Sequence, residues 1–229
     1  MKPPGEQLFS SHPQLSAFKD LPDKLLVDGA LRRVLDLGCG VGEHIKIWAA
    51  KHPNHHFDGV DISRPNIEVA KQSNLANVEF HCEDLMEYRS KGYDFVFSYS
   101  TIQLLAAGDE DIYCKLFSLL KPGGTLVLGI PYACASNHLI WLVRSLLRRI
   151  RGNWLDELAL RASKFLHPAL DEDYLRERIP YIYMPARRYD GASMRREMLG
   201  QGLQFVASAE LPFVSLGQTR HRLVTYQRI

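Results

Sequence analysis

The 229 residues carry a formal net charge of +2 and are 46% hydrophobic, a balance that accommodates one sizeable core. So slight a positive charge does not imply nucleic-acid binding, for which a strongly basic domain is expected, and no nucleic-acid partner is expected here. Four scattered cysteines, Cys39, Cys82, Cys114 and Cys134, form no C-x-x-C pair and read as reduced thiols of a cytoplasmic protein. The polar start Met1 to Glu6 lacks the apolar core of a secretory signal, and no apolar run reaches the roughly 18 residues of a membrane span.

From Val34 to Leu128 short apolar runs alternate with longer amphipathic stretches, the pattern of an α/β fold with a parallel sheet. Strands are expected at Arg33 to Leu37, His56 to Asp61, Val78 to Cys82, Tyr93 to Tyr99 and Gly124 to Ile130, with helices at Glu43 to Lys51, Pro65 to Ser73 and Asp109 to Leu120. The segment 131–202 has helical periodicity and reads as a lid or substrate-binding insert within a single domain spanning 1–229. It holds 12 Lys/Arg against 8 Asp/Glu, leaving 16 against 18 elsewhere (28 and 26 in all), so the insert is basic and the remainder slightly acidic. Leu203 to Ala207 and Leu223 to Tyr226 then read as an antiparallel closing pair of strands.

The chemistry concentrates in Asp36-Leu37-Gly38-Cys39-Gly40-Val41-Gly42. Glycines at alternate positions after an apolar strand let backbone amides approach a ligand and turn sharply into a helix; the alternative is a plain strand-to-helix turn. The dinucleotide pattern G-x-G-x-x-G fails in both registers, because Glu43 and Ile45 stand where its last glycine belongs. Asp36 and Glu43 are poor company for a pyrophosphate at a helix start and suit a cationic, zwitterionic ligand. Asp61 lies 61 − 38 = 23 residues beyond Gly38, where a carboxylate accepts ribose hydroxyls. Asp84, after the third strand, is placed to accept from an adenine amino group, or else is a solvated loop acid.

Together with the turn Lys121-Pro122-Gly123-Gly124 ahead of the fifth strand, these features resemble the class I S-adenosylmethionine-dependent methyltransferases over about residues 31 to 130. The resemblance implies a Rossmann-like, seven-stranded, mostly parallel sheet with an antiparallel last strand, and the insert after strand five. It implies that Asp36, Gly38, Cys39, Gly40 and Gly42 line the methionine and ribose side. Asp61 and Ile62 would hold ribose and adenine, Asp84 and Leu85 would bracket the adenine, and Ser98 and Tyr99 would close the site beneath the sulfonium. The implied cofactor is S-adenosyl-L-methionine, with S-adenosyl-L-homocysteine as product and no metal.

The sequence after the fourth strand, Ser98-Tyr99-Ser100-Thr101, lacks the Asn/Asp-Pro-Pro-aromatic tetrad of nucleic-acid amino-methyltransferases and the acid of metal-dependent relatives. It resembles the small-molecule branch, which implies transfer to oxygen or nitrogen of a small metabolite. Gln103 falls near the place where many relatives carry histidine. The remaining base candidates are Tyr99, His138 and His167; His52, His55 and His56 read as solvated loop residues. Tyr181, Tyr183, Arg187 and Arg188 combine aromatic surface with guanidinium groups suited to an aromatic or acidic substrate.

Leu139, Leu142, Val143, Leu146, Leu147 and Ile150 recur on one helical face, with Arg144, Arg148 and Arg151 on the other. Packing as a lid against the rest of the chain is the expectation. Contact of 139–151 with an anionic membrane or a lipid-linked substrate is one alternative, and a module that binds S-adenosylmethionine without catalysis is another.

Overall fold

The computed structural model describes residues 32–166, 171–184, 186–212 and 219–229, with Phe18, Leu21, Asp23 and Pro168; the side chains of 166, 174, 177, 178 and 181 are outside that description. The strands are β1 (Arg33–Leu37), β2 (His56–Asp61), β3 (Val78–Cys82), β4 (Tyr93–Tyr99), β5 (Leu120–Pro131), β6 (Leu203–Glu210) and β7 (His221–Arg228). The helices are α1 (Glu43–Lys51), α2 (Arg64–Ala70), α3 (Asp109–Leu119), α4 (Ala135–Arg149), α5 (Asn153–Leu166), α6 (Glu172–Ile182) and α7 (Ala192–Gly200).

The strands form one seven-stranded sheet in the order β3-β2-β1-β4-β5-β7-β6. Neighbours from β3 through β5 are parallel, and β7 runs antiparallel to both β5 and β6. The period-two rule of a strand sorts the core onto two faces. Val34, Phe57, Phe95, Phe97 and Val127 pack on one side with Ile45 and Trp48 of α1 and Ile67 of α2. Leu35, Leu37, Val96, Leu126 and Leu128 pack on the other with Ile112 and Leu116 of α3 and Met194 and Met198 of α7. Residues buried on both faces explain why the parallel strands read as unbroken apolar runs.

Several boundaries differ from the sequence reading. The Lys121–Gly124 turn lies inside β5 as an irregularity, since Tyr93 pairs with Leu120 and Phe95 with Thr125. Strands β6 and β7 are both longer than the apolar runs that signalled them. Helix α7, assigned by sequence to the insert, belongs to the sheet's own layers. The helical material standing off the sheet is α4, α5 and α6, and it has a small core of its own, Leu160, Leu175, Ile179 and Tyr183, joined by Leu147 and Leu155.

Candidate functional site

The site is built on the end of β1. Gly38, Gly40 and Gly42 have φ of +74°, +56° and +76°, a region that side-chain-bearing residues rarely adopt. Space adds a second constraint: a Cβ on Gly38 would collide with Thr101, and one on Gly42 with the Phe80 ring. The turn is tied to β2, because the Gly38 and Cys39 amides donate to the Val60 carbonyl at 2.7 and 3.0 Å. Gly42 then starts α1 with no side-chain cap, leaving the helix's first amides for a ligand.

Asp61 is fixed by the chain around it. Its Oδ2 accepts from the Gly40 amide and its Oδ1 from the Ser63 amide, both at 2.8 Å, and each oxygen keeps a further lone pair. Next to it Ile62 is 71% exposed, an apolar side chain free to lie on a ring. Asp36 is only 2% exposed, and its Oδ2 has no hydrogen-bond partner. Burial first, and the charge of Asp61 second, push its carboxyl up to about 8. A buried carboxyl with an open oxygen at a glycine turn is matched to a cationic or hydrogen-donating ligand. The Cys39 thiol, also buried, is pushed up chiefly by desolvation.

Other residues expected here have different work. Asp84 Oδ1 accepts from the Met86 amide at 2.8 Å, holding the loop after β3, while its exposed carboxylate still faces outward. Leu85 packs into the core below the sheet, so its side chain does not bracket a ligand. Ser98 is 1% exposed and its hydroxyl donates to the Leu37 carbonyl at 3.0 Å, tying β4 to β1 rather than facing the site.

Tyr99 ends β4 in a nest of rings: Phe18 at 5.0 Å, His221 at 5.3 Å and His44 at 6.5 Å between centroids. Burial pushes its phenol above the ordinary range, so near neutral pH it is a hydrogen-bond donor and no base. The next residue, Ser100, has φ of +55°, a left-handed conformation costing on the order of 1–3 kcal/mol without glycine. Its hydroxyl accepts from Gln103 Nε2 at 2.9 Å. Gln103 is 2% exposed, and its Oε1 has no partner.

The insert returns across this loop. The Arg187 amide donates to the Gln103 carbonyl at 3.0 Å, while Arg187 itself is exposed. Arg188 is buried, donating to the Ile102 and Leu105 carbonyls at 3.1 and 2.8 Å and pairing with Asp109 at 2.7 Å. It is consumed by the loop and is not offered to a substrate. Tyr183 is likewise turned into the insert's small core, with Arg151 stacked 4.9 Å above its ring. The side chain of Tyr181 and the whole of His167 lie outside the described residues. His138 is exposed, 5.9 Å from the Tyr189 ring.

Two histidines escaped the sequence reading. His221 Nδ1 lies 2.8 Å from the Thr219 carbonyl, which makes it the protonated nitrogen, and its Nε2 has no partner. Burial lowers both His221 and His44 to about 4, so both are neutral at physiological pH. Continuing the alternation of β7 back from Tyr226 reaches Val224 and Arg222; nothing in that pattern announces His221. The spacing of His44 and Trp48, one turn apart on α1, was the available signal for the former.

The polar histidines near β2 also differ from expectation. His55 is buried and its Nδ1 accepts from the Arg32 amide at 3.2 Å. His56 and His81 each bring Nε2 within 3.3 Å of Asp58 Oδ1, while Asp58 Oδ2 accepts from Tyr93 at 2.7 Å and from Arg33 at 3.1 Å. This buried hub lies three residues back along β2 from Asp61, about 10 Å at strand rise, and braces the sheet away from the glycine turn.

Residues 34–124 match the family described as a methyltransferase domain. The chain is 34% identical over 97 residues to a malonyl-[acyl-carrier protein] O-methyltransferase of Ilyobacter polytropus, covering 41% of this chain and 37% of that protein. It is 30% identical over 114 residues to a trans-aconitate 2-methyltransferase of Deinococcus radiodurans, covering 50% and 42%. It thus spans less than half the length of these relatives. Among solved structures, the 1,6-didemethyltoxoflavin-N1-methyltransferase of Burkholderia thailandensis, with S-adenosylhomocysteine bound, superposes with a TM-score of 0.64 over 98% of this chain and 82% of that one at 12% identity. Residues 34–124 thus match a methyltransferase domain, and the sheet order and the superposition give the chain the fold of S-adenosylmethionine-dependent methyltransferases.

Proposed function

We propose that the chain binds S-adenosylmethionine on the 36–42 turn and transfers its methyl group, in line, to an oxygen or nitrogen of a small metabolite. The observation that carries this reading is Asp36, a buried carboxyl whose Oδ2 is unpartnered beside a pinned Asp61. Asp36 and the uncapped start of α1 suit an α-amino acid, with its ammonium toward the carboxyl and its carboxylate toward the helix amides. Asp61 suits the ribose hydroxyls, exposed Ile62 the adenine face, and Asp84 the adenine amino group.

When bound, the sulfonium supplies a methyl group already activated for attack, so the protein's task is positioning and exclusion of water. The rings around Tyr99 serve both ends. Among the described residues near it, Tyr99 is held neutral and His44 and His221 are weak bases, which favours an acceptor that arrives with a lone pair already free. A carboxylate meets that condition, in keeping with relatives named for malonyl-[acyl-carrier protein] and trans-aconitate methylation. His138, at the start of α4, is the remaining imidazole for an acceptor that must lose a proton.

Calorimetry with S-adenosylhomocysteine tests the reading. Micromolar binding is expected, with Asp61→Ala weakening it at least tenfold, about 1.4 kcal/mol; no heat from the unaltered protein removes the proposal. Turnover is then sought across a panel of carboxylic and amine metabolites, and binding without turnover would point to a non-catalytic module.

A further inference from the structure

We infer that the α4–α5 hairpin is a docking surface for an anionic phospholipid bilayer. The packed lid face expected from sequence is open. Leu139, Leu142, Val143, Leu146 and Ile150, at i, i+3, i+4, i+7 and i+11 of α4, are all exposed, and Asn137 is the helix's one buried residue among those described. On α5, Trp154, Leu158 and Phe165, at i, i+4 and i+11, are exposed as well, with Phe165 85% exposed. Exposed apolar stripes of this extent mark a contact surface.

Charge identifies the partner. Residues 135–166 hold Arg144, Arg148, Arg149, Arg151, Arg161 and Lys164 against Asp156 and Glu157. Both acids are taken, Asp156 by Arg151 at 3.2 Å and Glu157 by Arg176 at 2.6 Å. Arg149 borders the α4 stripe, and Arg161, seven residues after Trp154, falls within the α5 stripe; neither has a carboxylate partner among the described residues. Exposed large apolar side chains with tryptophan and arginine beside them are the composition of helices lying in the headgroup region of an anionic membrane. A second copy of the chain fits poorly, because a two-fold contact would set these basic surfaces against one another. No described helix is long and apolar enough to cross a membrane, so the hairpin lies on the surface.

Helix α4 is tied to the sheet at its first turn. Asn137 donates to the Tyr132 and Arg220 carbonyls at 2.8 Å and accepts from the Arg220 amide at 2.7 Å. This lock lies beside the Pro131–His221 pair at the end of β5, so docking brings the Tyr99 end of the sheet toward the bilayer. The inference stands apart from the methyl-transfer reading, since docking is measured without cofactor.

The protein reports on itself. Of its three tryptophans, Trp48 is buried, Trp141 is exposed on the side of α4 away from the stripe, and Trp154 is exposed among the apolar residues of α5, so with Trp141→Phe the emission shift reads Trp154 on the proposed face. Titration with phosphatidylglycerol-containing vesicles should move the emission to the blue and carry the chain through flotation, with binding falling as salt rises. Pure phosphatidylcholine vesicles should bind it weakly. Leu142→Asp with Leu146→Asp should cut partitioning more than tenfold, and Arg149→Glu with Arg161→Glu about fivefold or more per residue. Both pairs are exposed, and circular dichroism confirms the fold. Absence from the floated fraction at low salt overturns the proposal. So does equal, salt-insensitive binding to neutral vesicles, or a stable dimer that Leu142→Asp dissociates, or binding only to an acidic protein.

Discussion

The sheet and the insert solve the problem of apolar surface in opposite ways. In the sheet, both faces are covered and the polar groups that remain are spent on fixing geometry, as in the Asp58 hub and the pinned Asp61. In the insert, among the described residues, only Leu160, Leu175, Ile179 and Tyr183 form a buried cluster of their own, and an apolar stripe is left facing out. Covered faces with fixed polar groups tolerate little change; an exposed stripe over a small core leaves a low local stability margin and an available surface.

That contrast can be broken most sharply at Asp58. Asp58→Ala strips a 2%-exposed carboxylate from Tyr93, Arg33, His56 and His81, and about 3 kcal/mol of stability should be lost. Urea unfolding measures it, and a loss below about 1 kcal/mol would mean that the hub is solvated rather than structural. The intermediate effect is at Asp36. Its carboxyl is raised to about 8 in the fold against about 3.9 unfolded, so the folded chain holds the proton longer. Its contribution to stability is complete below the unfolded value and declines as pH rises toward about 8, by up to about 1.4 kcal/mol per unit. The cofactor-free protein should therefore melt at lower temperature at pH 8 than at pH 6, and Asp36→Asn should flatten that slope. S-adenosylhomocysteine should bind more tightly across the same rise in pH, as the carboxyl ionises to meet the ligand's ammonium, and a pH-independent affinity would remove Asp36 from that role. The smallest effect belongs to the insert: Leu142→Asp with Leu146→Asp should change stability by no more than about 0.5 kcal/mol. A drop of several would show the stripe to be packed.

Much of the site nearest the backbone was legible in the sequence. The glycines, Asp36 and Asp61 lie where strand ends and glycine spacing put them, because those positions are set by local chain geometry. Leu85 and Ser98 follow from motif position and Arg188 and Tyr183 from a pairing of aromatic and guanidinium residue types, yet each serves packing or a carbonyl. Burial decides such cases, and it depends on elements distant in the chain: Arg188 is spent on the loop at Ile102–Ala107 because those carbonyls need a donor. His221 and Phe18 reach Tyr99 from opposite ends of the chain, a meeting that periodicity does not encode. The periodicity of α4 revealed an apolar stripe but not whether anything covers it.

The insert leaves the sheet and returns to it at one place. Tyr132 bridges Asp190, and the Asp190 amide donates to the Pro131 carbonyl at 2.8 Å, so the two ends of the excursion stand side by side. An excursion with adjacent ends and a core of its own can lengthen, shrink or be exchanged at small entropic cost to the domain that carries it. Such a cassette can be altered without touching the glycine turn and its acids.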